Sequence, residues 1–502
     1  MAGRIRFRVR KRGSVMRSRK RVLLLTFRPI LGLLAVGSAI KQKRNVDVDI
    51  VILSDLHSGE LSVSELEEHE IVEELKPYLD SDLLWVGITV FSSFIRSALV
   101  VSSIVKSYDR QLPLVWGGVH PTLYPEQPLE SPNVDISVYG DGEATACDIV
   151  DAYRDGKPLS EIKGIAYRDG EDVVTNTPRE YSDLKTVGIQ EYSLIRNSPV
   201  LIERKYCFSR IIAVHVANGC PYRCSFCINT SQKRKHNRKD PAQVVDQVLY
   251  LVKRYGAEEI DFIDELFLTG KRWLEEFLRL LAKANVHIRW RANGHAKTIS
   301  DTKRYPDDFF EFLRKSGLRM TTMGAESGSV RQLEIMNKGI TPDEVVAAAK
   351  RIEEQKIYCG VTYMIGNPDE ELADMCQTIG HIASVKKSGN DSCYFALQEY
   401  RPYPGNDMYE SAVRAGFRAP ATLDEWTRSI SFCSGGYDTQ IVFPWIDEKK
   451  KAVIVDAFNL SEYFNKRLNT MWRIPWAPEV YLDESSAKSK LEMYHRAGFV
   501  QR

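Results

Sequence analysis

The sequence predicts an α/β protein made of two successive series of alternating strands and helices. Three observations carry that expectation. Continuous apolar runs recur through residues 21–139, helical stretches lie between them, and a second alternating series starts at Ile211. Strands that are apolar along their whole length and separated by helices belong to parallel sheets covered on both faces. The first series therefore reads as a doubly wound domain over residues 21–155. The second reads as a partial (β/α)6 barrel over 206–440, with 156–205 as a connector and 441–502 as a small helical C-terminal region.

In the first series the strands are expected at 21–27, 46–54, 83–90, 112–116 and 134–139, with helices at 30–42, 63–78, 95–108 and 144–154. A hairpin is expected in the connector, at 162–168 and 172–176 around Asp169-Gly170. In the second series the strands fall at 211–217, 259–263, 287–291, 319–323, 358–365 and 393–399. The helices between them fall at 241–255, 271–285, 306–316, 341–355 and 371–387. Six such repeats leave open the place where an eight-fold barrel would close. A further amphipathic helix is expected at 447–468, before Trp472, Trp476, Tyr481 and a short final helix.

At 502 residues, 43% hydrophobic and 27% charged, the chain has room for two or three globular domains. Its net charge of +2 hides an asymmetry: residues 1–21 hold ten Arg or Lys and no acid, which leaves about −8 for the rest. Residues 1–20 read as a disordered basic tail, of the kind that meets anionic lipid or nucleic acid in other proteins; no nucleic-acid partner is expected. The apolar stretch 22–40 mimics a signal peptide or a membrane span. Arg28 and Pro29 interrupt it, and a strand, loop and helix explain it better. Nine cysteines in this length do not make a disulfide scaffold. Cys147, Cys359, Cys376, Cys393 and Cys433 read as buried small hydrophobes, with Cys207 kept as an exception near the motif below.

The chemistry concentrates in Cys220, Cys224 and Cys227, spaced Cys-x3-Cys-x2-Cys on the loop after the first barrel strand. Three thiolates this close reach one iron–sulfur cluster. A 4Fe–4S cluster normally takes four cysteines, and no fourth lies nearby, so one iron stays open for a ligand. The alternatives are a zinc knuckle or three buried thiols. Zinc usually takes four ligands in pairs, and His215 and His236 are poorly spaced to complete a set.

The spacing resembles the signature of the radical S-adenosylmethionine (SAM) superfamily, in which the open iron holds the methionine part of SAM. Phe226, before the third cysteine, fits the aromatic usual there, near the adenine. Further segments match in order: WGGVHPTLYPE (116–126), VYGDGEAT (138–145), FIDELF (262–267), GAESGS (324–329), MNKGIT (336–341), MIGNPDE (364–370) and RPYPGN (401–406). Together they resemble a cobalamin-binding-type, Rossmann-like domain followed by a radical SAM domain. Hopanoid and other lipid methylases, anaerobic porphyrin ring-cyclases and natural-product C- and P-methylases share that layout.

The resemblance implies roles. Asp264 and Glu265 would meet the SAM ammonium, Arg291 its carboxylate, and Glu326 and Ser327 its ribose or amino-acid part. Gly366, with Asn367 and Pro368, would shape the adenine side, and Tyr403 with Pro402 and Pro404 the substrate end. Solvated loop charge or packing explains the same residues without a ligand. Gly117, Gly118, His120, Gly140, Gly142 and Glu143 would border the nucleotide tail of cobalamin, although the glycines also suit plain turns. The run Asp55-Leu-His57-Ser-Gly59 resembles the cobalt-ligating Asp-x-His-x-x-Gly. Its glycine comes one residue early and it follows the second strand, so His57 is read as a coincidence.

The function so implied is reductive cleavage of SAM at a 4Fe–4S cluster to give a 5′-deoxyadenosyl radical, for cobalamin-dependent methylation of an unactivated carbon. One rival is a radical SAM cyclase, oxidase or C–C coupling enzyme; another is a non-catalytic cobalamin or iron–sulfur sensor. A methylthiotransferase would carry three more cysteines in its N-terminal domain, where residues 1–160 hold only Cys147. Expected partners are a small-molecule, lipid, macrocycle or peptide substrate and an electron donor such as flavodoxin or ferredoxin. Peripheral membrane contact is expected if the substrate is a lipid. An oxygen-sensitive cluster suits a reducing, cytoplasmic location.

Overall fold

The structure, a computed structural model, describes residues 21–27, 31–53, 68–197, 211–232, 234–429, 443–472 and 483–499. The basic tail, Asp55, His57, Cys207, Cys433, Trp476 and Tyr481 lie outside the described residues. The chain divides into two compact units. One is Met1–Ser182 with Thr186–Ser198 and Pro420–Phe432; the other is Asp183–Lys185 with Pro199–Ala419 and Cys433–Arg502.

In the first unit, β1 (Arg21–Thr26), β2 (Asp47–Ile52), β3 (Leu83–Thr89), β4 (Leu114–Gly117) and β5 (Ile136–Val138) form a parallel sheet in the order β2-β1-β3-β4-β5. Leu-, Val- and Ile-rich β3 is buried along its length, as the two-sided covering requires. Helices Leu31–Arg44, Ile95–Tyr108 and Gly142–Asp155 supply that covering. The indole of buried Trp116 donates to Ser102 Oγ at 3.0 Å, which satisfies its one polar atom. The strand order reverses between β1 and β3, and ligands of such sheets bind outside the carboxyl ends of the strands at that switch.

Two departures from the sequence expectation follow. The connector hairpin, β6 (Ile165–Asp169) and β7 (Asp172–Thr175), adds antiparallel to β5 and extends the sheet. Residues 420–429, expected in the barrel, join the first unit instead. Leu423 and Trp426 of helix Leu423–Ser429 are buried in its core. Two hydrogen bonds fix the segment: Leu423 N to Glu130 Oε2 at 2.9 Å and Gln127 Nε2 to the Ala421 carbonyl at 2.8 Å.

In the second unit, β8 (Ile211–Val214), β9 (Glu259–Phe262), β10 (Arg289–Gly294), β11 (Leu318–Glu326), β12 (Tyr358–Ile365) and β13 (Cys393–Glu399) pair in parallel and in chain order. This is the open (β/α)6 arrangement. Its helices start where capping chemistry puts them. Asp240 with Gln243 begins Pro241–Tyr255, and Thr341 with Glu344 begins Pro342–Glu354, each as a capping box with proline in the first turn. Phe262, Phe267, Phe277 and Trp290 pack as one aromatic group between strands and helices. Beyond the last strand lies helix Glu448–Trp472, whose Asn465 side chain exchanges two hydrogen bonds with the Phe395 backbone at 2.7 and 2.8 Å. That pairing occupies an otherwise open sheet edge. No helix among the described residues is long and apolar enough to cross a membrane.

Candidate functional site at the carboxyl ends of the barrel strands

The loop after β8 carries Cys220, Cys224 and Cys227, all free thiols, with Cys224 buried and the other two half-buried. Hydrogen bonds stitch the loop to two distant segments. Ser225 N donates to the Met336 carbonyl at 2.9 Å, Met408 N to the Ser225 carbonyl at 3.1 Å, and Asn337 Nδ2 to the Arg223 carbonyl at 2.8 Å. Phe226 packs on Met336, Tyr400 and Met408. Tyr222 stacks on His295, the residue after β10, with centroids 3.9 Å apart and planes within 4°. Burial pushes the Cys224 thiol up to about 11 and raises Cys220 as well. The loop is thus preformed, and a metal must displace protons to bind there. Three sulfur donors on one braced, partly dry loop fit a 4Fe–4S cluster with one iron left open. Among the described residues, no three His, Cys, Asp or Glu side chains are gathered as closely as a single metal ion requires.

A second charged element lies beside this loop. Glu326 ends β11 with a left-handed φ of 63°, and its Oε1 accepts from Lys338 Nζ at 2.8 Å. The two side chains are 13% and 10% exposed. The Lys338 ammonium lies 5.8 Å from the centroid of Phe226. Burial alone would lower the Lys338 pKa, but the charge and hydrogen bond of Glu326 raise it. The MNKGIT segment contains Lys338, but its pattern alone gives the lysine no role. The chain returns to Glu326 only through the turn and helix Val330–Ile335.

Other expected SAM contacts separate on inspection. Asp264 is fully buried; its Oδ1 accepts from Val216 N at 2.7 Å and Ala217 N at 2.9 Å, bracing the backbone after β8. Burial pushes its pKa up to about 7. Its Oδ2 is buried with no hydrogen-bond partner, and its neighbour Glu265 is exposed, 3.4 Å from Asn229 Nδ2. Arg291 is not after its strand. It lies within β10 opposite Asp261 and pairs at 2.8 Å with Glu259, at the amino end of β9. Ser327 is fully buried, its Oγ 3.1 Å from Thr378 Oγ1 and accepting from Ser329 N at 3.1 Å. It serves the local turn. The expectation that Arg291 follows its strand is therefore corrected, whereas Asp264 and Ser327 stand at the strand ends expected of them with local partners in the protein.

Gly366 follows β12 with φ 84°, donates to Glu370 Oε2 at 2.6 Å and accepts from Trp445 Nε1 at 2.9 Å. Next to it, Asn367 is fully buried with no hydrogen bond to either side-chain atom. Such an orphaned amide marks a place for a ligand or water. Tyr403 is 38% exposed.

In the first unit, Gly117 ends β4 and Gly118 follows it, and Gly140 to Glu143 follow β5. Gly118 has φ 104°, and a Cβ there would sit 2.8 Å from Thr89 Oγ1, so internal packing already requires glycine. A Cβ on Gly142 would meet Val36 at 3.0 Å. At Gly140, with φ 80°, a Cβ would meet nothing within 4 Å, which leaves open space at the strand ends. Glu143 is half-buried in the first turn of its helix. Backbone-lined space at the carboxyl end of β5, on the side of the sheet where such folds bind ligands, fits a cofactor held by main chain. His120 does not join it. The ring is fully buried, 3.0 Å by Nδ1 from Ser92 Oγ, and packs against Tyr124 and Trp426. Burial lowers its pKa to about 4. His120, expected beside the cofactor, is buried in the core, with its Nε2 lacking a hydrogen-bond partner.

With this geometry in hand, known proteins locate the chain. The profile of the Radical SAM superfamily matches residues 214–379, and that of the B12 binding domain matches residues 28–150. The chain carries a radical SAM domain and a B12-binding domain. Such proteins use a 4Fe–4S cluster, SAM and cobalamin, and this one is a radical SAM enzyme. It is 28% identical over 390 residues to the uncharacterized methyltransferase PH0819 of Pyrococcus horikoshii, covering 77% of this chain and 78% of that one. It is 27% identical over 372 residues to the anaerobic magnesium-protoporphyrin IX monomethyl ester cyclase of Rubrivivax gelatinosus, covering 72% of this chain and 62% of the cyclase. Its fold is similar to that of TsrM, a radical SAM methyltransferase from Kitasatospora setae (TM-score 0.63, 18% identity, 83% of this chain and 84% of that one). The cobalamin-dependent SAM radical enzyme OxsB shares it too (TM-score 0.62, 16% identity, 95% and 71%).

Proposed function

We propose that this radical SAM protein methylates a carbon atom of its substrate with the help of cobalamin. The observation that carries the reading is the pairing, in one chain, of a B12-binding domain with the preformed three-cysteine loop and its buried Glu326–Lys338 pair. When bound, the cluster supplies the electron that cleaves SAM, and the corrinoid supplies a methyl carrier.

The chain's own residues do the rest. Cys220, Cys224 and Cys227 hold the cluster. Exposed Glu265 and the Glu326 carboxylate offer anionic partners for the SAM ammonium, and Lys338 offers a cation for its carboxylate. Phe226, Gly366 and Asn367 border the adenine. Gly140 admits the corrinoid at the end of β5 by leaving the backbone bare, while Gly117, Gly118 and Gly142 let the neighbouring segments pack closely. Glu143 stands in the first turn beside them. We place the protein in the cytoplasm, reduced by a flavodoxin or ferredoxin. A lipid substrate would bring it to a membrane surface.

The test is anaerobic turnover with reductant and extracts of candidate substrates. Methylation forms S-adenosylhomocysteine together with 5′-deoxyadenosine. The cyclase relative favours a second reading, ring closure, for which 5′-deoxyadenosine forms without S-adenosylhomocysteine.

A further inference from the structure

The carboxyl end of β13 holds polar groups that the SAM and cobalamin reading does not use. Tyr400 is 3% exposed, and its hydroxyl has no hydrogen-bond partner. Arg401 is next to it, with an 11% exposed side chain. Neither terminal guanidinium nitrogen makes an aligned hydrogen bond, although one lies 3.0 Å from Glu399 Oε2. The guanidinium carbon sits 5.7 Å from the centroid of Phe443. Phe443 in turn stacks on Trp445 at 4.9 Å with planes 6° apart, and Trp445 is only half-buried. Tyr400 lies 6.4 Å from the Trp445 ring and packs in the same group as Phe226 of the cysteine loop.

Buried donors without acceptors are costly and uncommon. Here Tyr400 and Arg401, neighbours in sequence, border the same stacked pair, Arg401 on Phe443 and Tyr400 on Trp445, and Arg401 can only donate. The missing group is therefore an oxygen acceptor. Its charge follows from Glu399, which is 3% exposed and already neutralises Arg401. A second carboxylate would bring an uncompensated negative charge into a dry site, which costs more than a neutral carbonyl. The aromatic pair beside it suits a flat partner.

We propose that Tyr400 and Arg401 form a substrate subsite that takes the neutral carbonyl oxygen of a planar, largely apolar molecule: an amide, lactam, ester or ketone. The proposal rests on the enzyme reading above and names its substrate class. Tyr400 and Arg401 orient the substrate beside the cysteine loop.

Because the substrate is unidentified, the probes are N-methylbenzamide and benzoate. They are titrated anaerobically, by calorimetry or ligand-observed NMR, onto the protein loaded with cluster, cobalamin and SAM. N-methylbenzamide should bind at least tenfold more tightly than benzoate. Arg401→Met should weaken the amide about tenfold or more, and Tyr400→Phe about threefold. Arg401→Lys, which keeps the charge beside Glu399, guards against misfolding and should also weaken it. SAM affinity, measured on the same samples by equilibrium dialysis, should stay within twofold. Benzoate binding as tightly as the amide would overturn the neutral-carbonyl assignment. Amide binding unchanged in folded Arg401→Lys and Tyr400→Phe proteins, or absent in the parent, would overturn the subsite. Loss of SAM affinity in these variants would give the donors to SAM and also overturn it. Failure of the parent protein to cleave SAM would instead sink the enzyme reading, a result separate from these titrations.

Discussion

Lys338 donates a 2.8 Å hydrogen bond to Glu326, and both side chains are nearly dry. The pair joins the end of β11 to the cysteine loop, because Lys338 also faces Phe226. Glu326→Gln should keep the hydrogen bond and lose the charge. Its SAM affinity should fall about tenfold, since a bond to a charged group is worth roughly 1.5–3 kcal/mol, while cluster absorbance is unchanged. Equilibrium dialysis on reconstituted protein measures this. An unaltered affinity would remove Glu326 from the SAM site. Lys338→Met should be harsher, destabilising the fold by about 3–5 kcal/mol, because it strands a buried carboxylate.

Asp264 and Glu265 should behave oppositely despite being neighbours. Glu265 is exposed, so Glu265→Gln should weaken SAM binding about threefold, in line with a solvent-screened charge. Asp264→Asn should leave SAM affinity within about twofold and act on stability instead. The Asp264 carboxyl has its pKa raised by burial from 3.8 to about 7. A raised folded-state pKa gives stability that is full below the unfolded value and is lost as pH rises through the folded one. The parent protein should therefore lose stability from pH 5 to pH 8, by on the order of 2 kcal/mol from this group. The loss should be visible as a falling urea midpoint and much reduced in Asp264→Asn. Near-identical midpoint-versus-pH curves for the two proteins would contradict the assignment.

His120 and Trp426 hold together residues far apart in sequence, with ring centroids 5.6 Å apart in the first unit's core. Trp426→Ala should cost roughly 3–5 kcal/mol, as for other large core aromatics. His120→Gln should lower stability by about 1–3 kcal/mol by disturbing a buried polar contact. The visible spectrum of bound corrinoid should stay the same. A spectrum altered in His120→Gln would return this histidine to the cofactor.

The scaffold is readable in the sequence where elements announce themselves. Pro241–Tyr255, Tyr358–Ile365 and Cys393–Glu399 lie where expected, because a capping box marks the first and a largely apolar run each of the other two. The site is less readable, and β10 shows why. Its alternation of charged and apolar residues, Arg-Trp-Arg-Ala-Asn-Gly, hides the strand, which the pattern puts at 287–291 and which runs Arg289–Gly294. That shift moves Arg291 from the mouth of the barrel into mid-strand, beside Glu259. Asp264 and Glu265 read alike as acids, and only the turn after β9 decides which one is buried. Lys338 and Trp426 act through the return of the chain to a distant partner, which local pattern does not record.

The central claim is that SAM is cleaved at the cysteine loop after β8. The direct measurement is 5′-deoxyadenosine formed by anaerobically reconstituted protein given SAM and dithionite, compared with a Cys220→Ala, Cys224→Ala, Cys227→Ala triple variant. The parent should accumulate 5′-deoxyadenosine and show 4Fe–4S absorbance, and the variant should show neither. A parent that holds its cluster and SAM yet forms no 5′-deoxyadenosine, or a triple variant that still forms it, would contradict the account.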